Sequence, residues 1–255
     1  MLVSERFALA LMLFVIPWVS QASYMDELID QGDAAFYGRG ATQSYSTAAE
    51  RYQLAADLGS AKAAHYLGFM HDNGLGFEYD PLKAVEYYQI AAEADHAPSL
   101  FSLGQHAEMG VGLKRNLRRA FQLYRASAHL GYSMAQTRLA FMYAQGLGTS
   151  ISYSWATYYS AMAASNGEQL AEILLEQLLP QLPSYTTELE YSTLWPIPDT
   201  DAKPVGQVYL GSEVYQLERV SPEWMVVYSP EARRVAYLNM MSFIPMEVTA
   251  SGGNE

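Results

Sequence analysis

A chain of 255 residues, half of them apolar and only 16% charged, has the material for one large or two modest folded domains and is not disordered. A formal net charge of −12 argues against nucleic acid or an anionic membrane as the main partner. The absence of cysteine excludes thiolate catalysis, disulfides and cysteine-ligated zinc, without assigning a compartment.

At the N-terminus, Phe7 to Val19 is an almost unbroken apolar run preceded by Arg6 and followed by Ser20-Gln21-Ala22, a small-x-small pattern. The run is shorter than the ~20 residues a spanning helix needs. It predicts a secretory signal peptide over residues 1–22, cut after Ala22 or Ser23, with an uncleaved anchor as the alternative. No cysteine follows, which excludes lipidation there. The expected protein is periplasmic or secreted, with no membrane insertion once the signal is removed.

From there a fixed period takes over. Gly38-Arg39-Gly40, Gly74-Leu75-Gly76, Gly110-Val111-Gly112 and Gly146-Leu147-Gly148 are each 36 residues apart, the mark of a solenoid. Ala48, Ala84, Ala120 and Ala156 keep the same step, as do Tyr52, Tyr88 and Tyr124, with Ser160 in the fourth copy. Each unit reads as two antiparallel helices, A and B. In the second unit, helix A is expected over about 61–73, ended by Gly74, and helix B over about 81–94. Asp80 is the expected N-cap of that B helix, with Pro81 at N1, and Ser44, Asn116 and Ser152 are its equivalents. Gly59, Gly131 and Gly167 end the other B helices, and Asp95 fills that role in the second unit. Short residues (Gly32, Gly68, Gly104 and Ala140 on helix A) allow close approach, with the B-helix tyrosine filling the space opposite. Units fall near 24–59, 60–95, 96–131 and 132–167, and residues 168–179 read as a lone capping A helix.

This pattern resembles the Sel-1-like repeat, a relative of the tetratricopeptide repeat, over residues 24–179. In the second unit Ala61, Ala63, Leu67, Gly68, Gly74, Gly76, Asp80, Ala84, Tyr87, Tyr88, Ala91 and Ala92 carry it. The first unit departs from it, with Gln31 at the leucine position. The resemblance implies an α-α superhelix whose concave face contacts proteins, an adaptor or regulator often exported in bacteria, with no activity and no catalytic residues.

Pro180, Pro183 and Ser184-Tyr185-Thr186-Thr187 end the helical pattern, so residues 180–193 read as a linker. Beyond it, short runs rich in Val, Tyr and Leu predict five strands of a small β-barrel over residues 194–248, with 249–255 a frayed tail. Val205-Gly206, Gly211, Val214 to Leu217, Glu223-Trp224, Val226-Val227 and Ala236-Tyr237-Leu238 resemble the bacterial SH3-like domain. Gln216 and Ala236 depart from its usual residues. That resemblance implies binding of cell-wall peptide or protein.

No nucleophile elbow, zinc-protease motif or phosphate loop is present, so neither enzyme activity nor a cofactor is expected. His65 and His71 could approach His106 across neighbouring helices, but without a shared register or a nearby carboxylate, packing is the better reading. Asp199-Thr200-Asp201 reads as a solvated turn rather than a cation site. Tyr52, Tyr87, Tyr88, Tyr124, Trp155 and Tyr159 occupy repeat-defining positions and read as core, and so do Trp224 and Tyr237 in the barrel. Tyr66, Phe69, Arg138 and Phe141 stand where the repeat is variable, on A helices, and are the candidate partner contacts, with inter-unit packing as the alternative. Tyr209, Tyr215 and Tyr228 are the candidates in the barrel. The expected function is an exported, non-enzymatic scaffold or adaptor, the solenoid holding a protein or peptide partner of the cell envelope and the barrel a second one. A peptidoglycan-binding protein that recruits an envelope enzyme is the alternative.

Overall fold

In the computed structural model, residues 22–40, 42–186, 191–195, 206–209, 212–220 and 224–239 are described. The signal segment to Gln21, Asp199-Thr200-Asp201 and the tail from 249 lie outside them. Helix α1 covers 22–37. It is followed by α2 (Tyr45–Asp57), α3 (Ala61–Asn73), α4 (Pro81–Ala92), α5 (Ala97–Met109), α6 (Leu117–His129), α7 (Ser133–Gln145), α8 (Tyr153–Ser165) and α9 (Gln169–Leu178). Two compact units divide the chain, residues 1–116 and 117–255.

In the first unit, α1, α3 and α5 are A helices and α2 and α4 are B helices, each stopped by the residue expected. Gly74 and Gly110 hold the left-handed conformation at the ends of α3 and α5. Asp95 takes φ +53° after α4, where the first repeat has Gly59. Ser44 accepts from the Thr47 N–H, and Asp80 from those of Leu82 and Lys83. Each N-cap side chain satisfies helix-end donors that would otherwise be unpaired, worth about 1 kcal/mol. The same residues also tie the hairpin. The amides of Ser44, Asp80 and Asn116 donate to the carbonyls of Ala35, His71 and Ala107 in the preceding A helix. The tyrosine rings Tyr52 and Tyr88 are buried and fill the space above Gly32 and Gly68.

The second unit repeats this with α6 to α9 and adds the sheet. Gly146 closes α7, Ser152 caps α8, and its amide donates to the Tyr143 carbonyl. Among the described residues six antiparallel strands follow: β1 (Ser184–Thr186), β2 (Tyr191–Trp195), β3 (Gly206–Tyr209), β4 (Glu213–Arg219), β5 (Trp224–Ser229) and β6 (Arg234–Asn239). Their order is β1-β4-β5-β6-β2-β3, so strand pairing begins inside the stretch read as linker. The order is open: β1 and β3 are its two ends, with no pairing between them among the described residues, whereas a closed barrel was expected. A bulge at Gln216/Glu218 shifts the β4–β5 register. Leu194, Val214, Met225, Val227, Ala236 and Leu238 form the core on one face. The other face packs Tyr215, Leu217, Val226, Tyr228 and Val235 with Ala161, Tyr158 and Leu175 of the last helices.

Two packing expectations change. Trp155 is not core: it is 43% exposed, because its register position points outward on a B helix, where the earlier repeats carry Thr47, Lys83 and Arg119. Tyr87 is half-buried, with its hydroxyl donating to Gln53 Oε1 at 2.8 Å. Tyr52, Tyr88, Tyr124, Tyr159 and Trp224 are buried as expected, and Tyr237 is half-buried.

Candidate protein-binding surface

Each aromatic of the first unit's A helices is placed by the hairpin that carries it. Phe36 on α1 stands at the centre of a cluster, with ring centroids 4.9 Å from Tyr37, 5.3 Å from Tyr45, 6.0 Å from Tyr66 and 6.2 Å from Phe69. Such spacings add to area burial in holding rings together. Tyr66 stacks on Tyr52, nearly parallel at 4.8 Å. The Tyr52 hydroxyl donates to Asp33 Oδ1 at 2.7 Å, and Lys62 Nζ meets Asp33 Oδ2 at 3.0 Å. Burial, then hydrogen bonding to Asp33, raises the Tyr52 hydroxyl far above its usual range. Burial and a hydrogen bond with Tyr37 raise Tyr66. Both are therefore neutral at any working pH and serve as packing and hydrogen-bonding groups.

The rim of the cluster is open. Tyr37 is 50% and Phe69 39% exposed, and the Arg39 guanidinium lies 4.9 Å over the Tyr37 ring. The structure thus brings Tyr66 and Phe69 together, with Tyr66 spent on packing and Phe69 available at the surface. Tyr37 and Arg39 were missed. Their signal was proximity to the first Gly-x-Gly turn, and a repeat that departs from the pattern drew no attention to them. In the second unit Arg138 lies 5.1 Å over the Phe141 ring, one turn along α7, and both are half-buried. Both pairs share a register, since Tyr66 and Arg138, like Phe69 and Phe141, are two repeats apart.

The barrel candidates fare differently. Tyr228 was expected to face a ligand but is only 6% exposed, because β5 is covered on the side where its ring packs with Ala161, Leu175 and Leu217. It is a packing residue and not a surface contact. Tyr215 is half-buried against the same cluster, and burial with the nearby Glu213 pushes its hydroxyl up to about 12. Tyr209 belongs to β3, opposite Tyr191, and its side chain lies outside the described residues.

The histidines have protein partners. His65 Nδ1 and His96 Nδ1 both lie 2.9 Å from Ser99 Oγ, with their rings 4.9 Å apart. One hydroxyl can donate to one ring and accept from the other, so this arrangement fits two neutral imidazoles of opposite tautomer. His71 stacks on Phe77 at 4.1 Å. His106 Nε2 meets Asp72 Oδ2 at 3.0 Å while Nδ1 meets the Val111 carbonyl at 2.8 Å. These contacts are the packing expected for His65 and His71, while His106, read as having no nearby carboxylate, has Asp72 beside it. Among the described residues no group of three or more His, Asp or Glu side chains is gathered for a metal ion.

These environments make a pH prediction. Burial, and then the neighbouring His96, pull His65 down to about 4, and burial also lowers His71 and His96. For His106 burial opposes the charge, but Asp72 and the Val111 carbonyl outweigh it and raise the imidazole. A histidine lowered by folding contributes stability above its unfolded pKa of about 6.5 and loses it as pH falls towards the folded value. His106 acts in the opposite sense: its contribution is full below about 6.5 and is lost as pH rises through its folded pKa. For His65 the loss is on the order of 3 kcal/mol between pH 6.5 and 4. Denaturation of the chain and of His65→Gln at pH 7 and pH 4.5 should show a smaller acid loss in the variant; parallel losses would contradict the assignment.

Paired helices repeating every 36 residues, with aromatics on the A helices, define a helical-repeat protein of the tetratricopeptide-like class. The Sel1 repeat matches residues 32–60, 61–96, 97–132 and 133–168, more than half of the chain. The chain belongs to the Sel1 repeat family. It is similar to a solved Sel1 repeat protein from Oxalobacter formigenes, 29% identical with a TM-score of 0.58, covering 62% of each chain. It is also similar to a protective antigen of uropathogenic Escherichia coli strains displaying an SLR fold, 28% identical with a TM-score of 0.59, covering 62% of this chain and 34% of that one. Two Arabidopsis thaliana proteins, the ERAD-associated E3 ubiquitin-protein ligase components HRD3B and HRD3A, are 43% identical over 49 residues, 19% of this chain. The match spans only 8% and 7% of their lengths. Sel1 repeat proteins generally mediate protein–protein interaction. Among the described residues no helix is long and apolar enough to cross a membrane.

Proposed function

We propose that this chain is an exported, non-enzymatic scaffold whose A-helix face holds a protein or peptide partner of the cell envelope. The observation that carries this reading is the open rim of the first unit's cluster, where Tyr37 and Phe69 remain half-exposed over a ring stack that fixes them. Rigid aromatics beside an arginine are the side chains that dominate protein interfaces, because they bury much area for little lost freedom. Arg138 with Phe141 repeats the chemistry on the second unit. The C-terminal sheet, read as an SH3-like module, docks a second partner. Export rests on the apolar run from Phe7 to Val19 and the small-x-small pattern behind it.

Affinity purification of the full chain from the exported fraction tests this. A partner retained by the chain should be depleted at least tenfold by Phe69→Ser with Tyr37→Ser; unchanged recovery would remove the A-helix face from the account. Co-sedimentation with purified peptidoglycan tests the alternative, and failure of the full chain to pellet would discard it.

A further inference from the structure

The fourth repeat departs from the other three on the outer face of its B helix. Position by position, Thr47, Lys83 and Arg119 become Trp155; Glu50, Glu86 and Gln122 become Tyr158; Asp57, Glu93 and His129 become Ser165. Helix α8 has no charged residue, whereas α2, α4 and α6 each carry several or a pair. The sheet accounts for part of this change. Ala161 and Tyr158 pack with Leu217, Val226 and Tyr228, and a charge there would be buried unpaired. It does not account for Trp155, which stays 43% exposed.

Trp155 stands at a cleft of about 710 Å³ between α8 and the sheet. Trp155, Tyr158 and Met162 line it from the helix, and Glu218, Arg234 and Tyr237 from the strands. The indole is held in place before anything binds: it lies 6.2 Å from Tyr143, 5.5 Å from Tyr158 and 6.1 Å from Tyr159. A fixed aromatic wall costs little further ordering when it is covered. A cleft with an apolar wall and a carboxylate and a guanidinium on its other side suits a peptide, which brings an apolar anchor and charged neighbours on one strand. Two features favour a basic one. Tryptophan and tyrosine faces attract cations, and a net charge of −12 steers cationic partners towards the chain.

We infer that the α8–sheet cleft is a second docking site, taking a short extended peptide in which an aromatic anchor adjoins a basic residue. It is a different surface from the A-helix face and stands whether or not that reading holds. Fluorescence polarisation with the full chain tests it, using a labelled hexapeptide of alternating lysine and phenylalanine, its glutamate counterpart, and a labelled hexamer of N-acetylglucosamine. The lysine peptide should bind at least tenfold more tightly than the glutamate peptide. Trp155→Thr, which installs the neutral residue of the first repeat, should weaken it at least tenfold while circular dichroism shows the chain still folded at the assay temperature. Phe69→Ser should leave it unchanged, which separates this site from the A-helix face. Equal binding of the two peptides, equal binding to Trp155→Thr, or binding of the glycan alone would overturn the assignment.

Discussion

Alanine at Gly148 should destabilise the protein by roughly 3–5 kcal/mol and alanine at Gly167 by only about 1 kcal/mol, although both residues have left-handed backbone. Their φ values are similar, +71° and +86°. The difference is what a methyl group meets. At Gly167 nothing lies within 4 Å, so the cost is backbone strain alone. At Gly148 the new carbon would sit 2.3 Å from the Leu117 carbonyl oxygen and 2.6 Å from its carbon. That carbonyl opens α6 and cannot rotate aside without moving the helix. In the first unit Gly112 meets the Pro81 carbonyl at 2.4 Å, and Gly76 meets Tyr45 backbone at 3.0 Å. Gly76, Gly112 and Gly148 are thus each seated on the first residue of the previous B helix, where they set the spacing between neighbouring repeats. Urea denaturation of the two alanine variants checks this, and equal losses would mean that the seat does not govern the spacing.

Gly68→Ala should cost about 2–3 kcal/mol for a different reason. Gly68 is helical, so the backbone tolerates alanine. The added carbon would lie 2.8 Å from Cδ1 and Cε1 of Tyr88 and 3.1 Å from the Ala84 carbonyl. Tyr88 is buried and has no room to swing away. The fourth repeat shows the alternative solution, with Ala140 at the glycine position and Ser160 in place of the tyrosine. Tyr88→Ser alone should cost about 3 kcal/mol for the lost ring. Combined with Gly68→Ala it should cost at least 1 kcal/mol less than the sum, since the methyl then has space. A double-mutant cycle by denaturant unfolding measures that coupling, and strict additivity would contradict the pairing.

The repeat was legible because its signals are local. The first glycine of each turn, the N-cap residues and the tyrosines opposite small residues each act within one hairpin, and the helices end where those residues stand. What was not legible depends on neighbours about 34 residues away. His65 meets Ser99 and His106 meets Asp72 at that separation, and reading one repeat at a time does not join them. Trp155 was misplaced because it was judged by its repeat rather than by its face. The absence of charge from α8 was the available clue that another element covers part of its outer side, around Tyr158 and Ala161, and leaves Trp155 at the edge. Tyr228 was misjudged because β5 is buried on both sides and shows no alternation to separate an inner from an outer face. β1 is three residues of turn-like composition, Ser184-Tyr185-Thr186, and becomes a strand through its distant pairing with Glu213, Val214 and Tyr215.

The central claim is that the A-helix face of the solenoid holds another protein. Photo-crosslinking from single positions in living cells tests it most directly, with the photoreactive side chain at Phe69 on α3 or at Leu82 on α4, which is exposed on a B helix. The account predicts one discrete protein adduct from position 69, lost when Tyr37→Ser is added, and none from position 82. No adduct at 69, or the same adducts from both positions, would contradict it.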